Sequence, residues 1–392
     1  MNTIKRLVLN FPGFETTGAV HQIDRLTAGG HKTAELWGFE LDRGKIEEKP
    51  NSHKWITQFN AKGEEWETET RYVHFSWADI IAKYEETPYP QNLIFNFPKY
   101  FAFFLDGTVR KYAKASRRYW GFTIYPILLM LLYAAVSWFA VWSLLSDFDL
   151  HWLFKALPAL GLFLVFCKWP GDRFYINLSI NDWAFARDMC NGKNEDVSKR
   201  YIQFAETLID EIRKRKPDEI VIVGHSFGSV WAVASLAIAL EKNPRLLKNK
   251  RVTFLALGSS LLKIGLCKRA KFFHAAVHQV LGVENLVWHE IQTKTDFISF
   301  YKSDPFEPMK IVETPCEVIT HRVNFKKALS TERHKKMLKS MYLAHRQYIL
   351  YCDQRVHHDF QLRVFGPFFA DAMARDPELA FKSELITPRE TT

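Results

Sequence analysis

The stretch Ile220–Val233, IVIVGHSFGSVWAV, decides how the rest of the chain is read. Ile-Val-Ile-Val is an unbroken β-branched run, the composition of a strand buried on both faces. Gly-His-Ser-Phe-Gly interrupts it, and a segment of small and apolar residues suited to a helix follows. A strand that turns abruptly into a helix strains its central residue, and side chains two positions to either side would collide with neighbouring backbone. Gly224 and Gly228 hold those flanking places around Ser226, and Ala232 and Ala234 keep the helix slim. A serine so placed stands above the sheet edge at a helix N-terminus, where the helix dipole favours developing negative charge. The plainer alternative is a glycine-rich turn whose serine only caps the helix.

Working outward, Val197–Arg215 has the apolar spacing of an amphipathic helix and leads through Pro217-Asp218 into this strand. Arg251–Leu257, Asn285–Gln292 and Cys316–Val323 read as three further strands with helical stretches between them, a pattern that predicts an α/β fold with a mostly parallel sheet covered on both faces. Toward the N-terminus, Arg6–Phe11 is a short apolar strand ending in Pro-Gly. Thr16–Leu26 has helical spacing, and Lys32–Leu41 has the composition of a second strand. Residues 43–70 are polar and without clear period, Arg71–Trp77 has strand composition, and Ala78–Lys83 begins a helix.

Between the two halves the composition changes. Phe122–Leu145 holds no charged residue, and Leu150–Cys167 is apolar apart from His151 and Lys155. The first is long enough to cross a hydrocarbon core; the second is shorter and carries Pro158. Trp120, Trp142, Trp152 and Trp169 stand near the segment ends, where aromatic belts lie. Arg110, Lys111, Lys114, Arg117 and Arg118 precede the pair, Lys168 and Arg173 follow it, and Asp147 and Asp149 lie in the loop. The positive-inside rule then predicts a two-span membrane hairpin with both flanks and both termini cytoplasmic. A buried helical hairpin or a lipid-dipping cap is the other possibility. The expected organisation is 1–110 and 174–392 as two parts of one core, with 111–173 as the hairpin and its basic flank.

The chain has 392 residues, 47% of them apolar, and a formal net charge of +10. That excess suits an anionic partner, either lipid headgroups or nucleic acid. Basic runs such as RLLKNKR and ERHKKMLK have acids nearby and no recognition motif, so solvated helix faces explain them and nucleic-acid binding is not expected. The five cysteines are odd in number and form no C-x-x-C pair, which suits reduced, mostly buried thiols. No metal-ligand spacing or phosphate cradle is present, and no cofactor is expected.

VIVGHSFGS resembles the nucleophile elbow of the α/β-hydrolase superfamily, in particular its lipases and esterases, and LVLNFPGFE resembles the oxyanion loop after an early strand. The resemblance covers Arg6–Trp77 and Val197 to about Tyr348; the hydrophobic hairpin is no standard part of it. It implies that Ser226 is the nucleophile and that the backbone N–H groups of Phe14 and Phe227 hold the oxyanion, although Pro-Gly-Phe stands where many relatives have His-Gly-x. The superfamily order of serine, then acid, then histidine places the acid beyond a late strand. Asp296 and Asp304 both qualify; Asp296 follows its strand directly, whereas Asp304 in Ser-Asp-Pro suits turn chemistry. The histidine candidates are His334, His345, His357 and His358. His345, in apolar MYLAHRQYIL, is preferred over the charged or terminal settings of the others. His225 is expected to point to the far side of its strand, and His289 to lie in the core.

The resemblance therefore implies a membrane-anchored serine hydrolase acting on acyl esters, expected to be of lipid origin, at an anionic cytoplasmic leaflet. The alternative is a scaffold that keeps the fold without catalysis.

Overall fold

The structure is a computed structural model that describes residues 2–386. These residues form one nine-stranded sheet. The strands are β1 (Asn2–Phe11), β2 (Glu40–Arg43), β3 (Glu47–Lys49), β4 (Lys54–Lys62), β5 (Trp66–Phe75), β6 (Glu219–His225), β7 (Val252–Leu257), β8 (Leu286–Thr293) and β9 (Glu317–Val323). Their order is β2-β4-β5-β1-β6-β7-β8-β9, with β3 beside β2 on β4. From β5 to β9 every pairing is parallel, and β2, β3 and β4 make an antiparallel extension at one edge.

Alternation along the central strands feeds two cores. Leu7, Leu9 and Phe11 of β1, with Ile220 and Ile222 of β6, face one side; Val8, Val221 and Val223 face the other. On the first side pack α5 (Glu195–Lys214) and α6 (Gly228–Lys242), through Phe204, Leu208 and Trp231. On the second pack α1 (Ala19–Trp37) and the C-terminal segment around Phe360–Phe365. Burial on both faces explains why β6 reads as a continuous apolar run.

Two expectations about the N-terminal part are corrected. Lys32–Leu41 is not a strand: α1 continues through Trp37 and ends at Gly38, whose φ of +78° closes the helix in the left-handed conformation. Gly29 and Gly30 lie inside that helix because a Cβ on Gly30 would stand 2.5 Å from Leu41 Cδ2. Residues 43–70, without visible period in the sequence, hold β3, β4 and the start of β5. In β5 the buried alternate positions are Trp66, Thr68 and Thr70. Thr68 Oγ1 donates to Gly366 O at 3.2 Å and Thr70 Oγ1 to Val364 O at 2.9 Å. The inward face is polar but satisfied, so hydropathy does not reveal the period-two pattern.

Between β5 and β6 rise α2 (Arg117–Leu144) and α3 (Trp152–Arg173), both long and apolar enough to cross a membrane. At 1.5 Å per residue their 28 and 22 residues span about 42 and 33 Å, against roughly 30 Å of hydrocarbon. The second runs through Pro158 and Pro170 without ending there. Most of each is uncovered by protein, with Leu128 57%, Phe139 70% and Leu157 68% exposed, unlike a helical hairpin buried in a core. The base of α2 is embedded in the body, where Tyr119 is buried and stacks on Phe300 at 3.8 Å; further along, Tyr133, Ser137 and Val141 are buried as well. After α3, helix α4 (Ile176–Asn191) lies back on the soluble body with Ile180, Trp183 and Phe185 fully buried. All five cysteines are buried and free of disulfides.

Candidate active site

The carboxyl ends of β1, β6 and β8 converge on one cavity, the place where open parallel sheets bind ligands. Ser226 follows β6 at φ +54°, one of the few non-glycine residues in that region. Its conformation is fixed by neighbours: Ser226 N donates to Leu257 O at 3.0 Å, while Ser226 O accepts from Ser229 N, Ser229 Oγ and Ser260 N at 3.1, 2.7 and 3.2 Å. The flanking glycines are required sterically. A Cβ on Gly228 would stand 1.9 Å from Phe11 O, and one on Gly224 2.6 Å from Ser229 Cα. The Ser226 side chain caps no amide of α6; its Oγ lies 3.4 Å from Ser260 Oγ.

The loop after β1 wraps against the serine. A Cβ on Gly13 would lie 3.1 Å from Ser226 Cβ, so the Gly13–Phe14 backbone passes in van der Waals contact with it. Trp77 Nε1 anchors the loop by donating to Pro12 O at 3.1 Å. The Phe14 and Phe227 rings approach to 6.0 Å, and neither residue's amide N–H has a hydrogen-bond partner among the described residues.

Asp296 follows β8 and is fully buried; His345 sits on the short helix α8 (Met341–Arg346) and is also buried. Between them His345 Nδ1 donates to Asp296 Oδ2 at 2.8 Å. Burial alone would raise the Asp296 pKa, but the His345 interactions, with the Ile298 N–H at 2.8 Å, hold it below its ordinary value. His345 Nε2 is buried without a partner, and His345 and Ser226 line the same cavity. With Nδ1–H given to Asp296, Nε2 is the ring position that can take a proton from a hydroxyl in the cavity.

The remaining candidates lie elsewhere in function or space. Asp304 Oδ1 accepts from Phe306 N and Glu307 N at 2.7 and 2.8 Å, which is turn chemistry. His334, His357 and His358 do not line the cavity. His289 is buried in β8 with Nε2 3.0 Å from His321 Nδ1. The position expected for His225 is corrected: it lines the cavity beside Ser226, and its Nε2 donates to His345 O at 3.0 Å. Burial, with His345 adjacent, pushes its pKa down to about 3, so the ring is neutral and tethers α8 by that bond. The sharp turn, which reverses the direction of the chain immediately after His225, places both side chains on one side of the sheet edge.

Several residues of the site carry no motif. Glu15, Asp182, Ile298, Tyr342 and Arg346 complete a cavity of about 50 Å³. Glu15 pairs with Arg25 at 2.7 Å and Arg346 at 3.5 Å on its rim. Asp182 of α4 makes a buried ion pair with Lys263, which lies on the short helix α7 (Leu261–Gly265), and Lys263 Nζ stands 4.8 Å from the centre of the Phe227 ring. Nothing local in the sequence joins residues 81 positions apart in this way.

No protein-family model matches the chain, and searches of curated proteins and of solved structures likewise find no match.

Proposed function

We propose that the protein is a membrane-anchored serine hydrolase of the α/β-hydrolase type that cleaves acyl esters of lipid origin through an acyl-enzyme. The observation that carries this reading is Ser226, strained at φ +54° in the same cavity as a histidine whose Nδ1 is held by Asp296 at 2.8 Å. Chain order supports it, since serine, acid and base follow one another as in that superfamily. In the reaction, Ser226 Oγ attacks the ester carbonyl carbon as His345 Nε2 takes its proton. The Phe14 and Phe227 N–H groups stabilise the oxyanion, and His345 returns the proton to the departing alcohol. A water activated by His345 then releases the acid. Asp296 holds the imidazole tautomer and favours the imidazolium. The exposed apolar flanks of α2 and α3 and the basic residues around them support placement of the sheet on the cytoplasmic side of a membrane.

One observation favours the scaffold reading. Ser226 Oγ lies 3.4 Å from Ser260 Oγ, His345 Nε2 has no partner, and about 50 Å³ is too little for an acyl ester. Under the hydrolase reading this is a closed state, opened when Tyr342 and Ile298 move aside. Labelling the full chain in lipid vesicles with a fluorophosphonate probe separates the two. Labelling of wild type that disappears in Ser226→Ala supports the hydrolase. Folded wild-type protein that stays unlabelled supports the scaffold.

A further inference from the structure

The base of α2 carries a second site. Lys114, Arg117 and Arg118 meet Lys294 and Lys302, from the loop after β8, around a cavity of about 520 Å³. Its other lining residues are Ala113, Ala115, Ser116 and Tyr301, with no carboxylate. Five cations on one cavity repel one another, a cost that a bound anion would relieve. Among the described residues none of the five has a carboxylate within salt-bridge distance, and no carboxylate lines the cavity to offset their charge.

The arrangement is built rather than merely basic. Arg118 lies flat over Phe297 at 4.6 Å and near Tyr301 at 5.8 Å, which fixes its guanidinium. Its Nη1 is buried with no acceptor. Lys302 is held at φ +68°, with its amide donating to Gln292 Oε1 at 2.9 Å. Ser116 caps only the Tyr119 amide, so the Arg117 and Arg118 amides at the start of a 28-residue helix add further unmet donors. The donor set calls for a multidentate oxyanion.

The location narrows its source. The exposed apolar face of α2 begins just beyond Trp120, itself exposed, and on the membrane reading a tryptophan at that end of the helix marks the interface. We propose that Lys114, Arg117, Arg118, Lys294 and Lys302 bind the phosphate headgroup of an anionic membrane lipid, a phosphomonoester above all. The site is independent of the hydrolase reading, yet Lys294 and Lys302 flank Asp296, so occupancy braces the loop that carries the proposed acid.

The test uses the full chain in neutral detergent micelles, titrated against a fluorescent phosphatidic acid and, separately, a fluorescent phosphatidylcholine. Lys294→Gln/Lys302→Gln removes two exposed cations without disturbing packing, and Lys248→Gln/Lys250→Gln is the control. At roughly fivefold per cation, the first pair weakens phosphatidic acid binding about 25-fold and the control leaves it unchanged. Arg118→Gln gives an independent loss. Inorganic phosphate is the competitor: displacement only at far higher concentration assigns the site to lipid, and equal affinity overturns the lipid source in favour of a soluble phosphate. Equal binding of phosphatidylcholine, or no loss in either variant, overturns the site.

Discussion

A backbone at φ +54° costs a serine on the order of 1–3 kcal/mol, and the contacts around Ser226 are what hold it there. Gly228 is the tightest of them. Gly228→Ala drives a methyl into Phe11 O and is expected to cost about 3 kcal/mol or more, seen as a lowered denaturation midpoint or loss of soluble folded protein. Asp296→Asn tests the chemistry instead: it keeps the shape but reverses the hydrogen bond to His345 Nδ1, favouring the wrong tautomer. Turnover of an acyl ester found to be a substrate should fall by about 10⁴-fold with fold intact by circular dichroism. An unchanged rate would remove Asp296 from the mechanism. At this scale the sequence was legible where local sterics dictate residue type, as at Gly224, Ser226 and Gly228. Chain order admits all four C-terminal candidates, and only its apolar setting sets His345 apart, because nothing in MYLAHRQYIL encodes a partner 49 residues away. Lys263 and Asp182 left no sign at all.

Among elements, the contact between β1 and β6 is reinforced by a buried cluster. Arg6 and Glu219 are paired in register, both buried, and form an ion pair. The same guanidinium donates to Val364 O, Gly366 O and Phe368 O at 2.8, 3.0 and 2.7 Å, while Glu219 Oε2 accepts from Ala370 N at 2.9 Å. One cluster thus clamps the C-terminal segment across two central strands. Arg6→Ala leaves a buried carboxylate and three carbonyls unmatched, and equilibrium denaturation should show a loss of about 3–5 kcal/mol. A loss under 1 kcal/mol would mean the segment is held by apolar contacts alone. The strands that sequence reading found are those whose inward residues are aliphatic. The second half of β5 is legible as Arg71–Trp77, but its start is not, because threonines face the core there, nor is the end of α1, because its two glycines serve close packing against Leu41 and Phe365.

For the molecule as a whole, four buried histidines set the response to acid. Burial pushes His74 to about 4, His225 and His358 to about 3, and His289 well below its ordinary value. The unfolded chain takes up protons near pH 6.5 and the folded chain does not, so stability is fully present above pH 6.5 and declines as pH falls below it. Each histidine removes up to about 1.4 kcal/mol per unit. Melting temperature in detergent should drop clearly between pH 7.5 and 5.5, and flat behaviour over that range would contradict their burial. The hairpin was the most legible feature at this scale, since no short-range signal competes with two long apolar runs; its lean against the Asp296 loop through Tyr119 and Phe300 was not. Its position in the chain also bears on biosynthesis. β1 pairs with β5 on one side and β6 on the other, and both membrane-length helices are translated between those two strands. While the ribosome makes them, the nascent N-terminal sheet has an open edge along β1, a site for faulty association. That edge is covered only when β6 arrives, after both apolar helices have left the ribosome, so the sheet can close only around a hairpin that is already made.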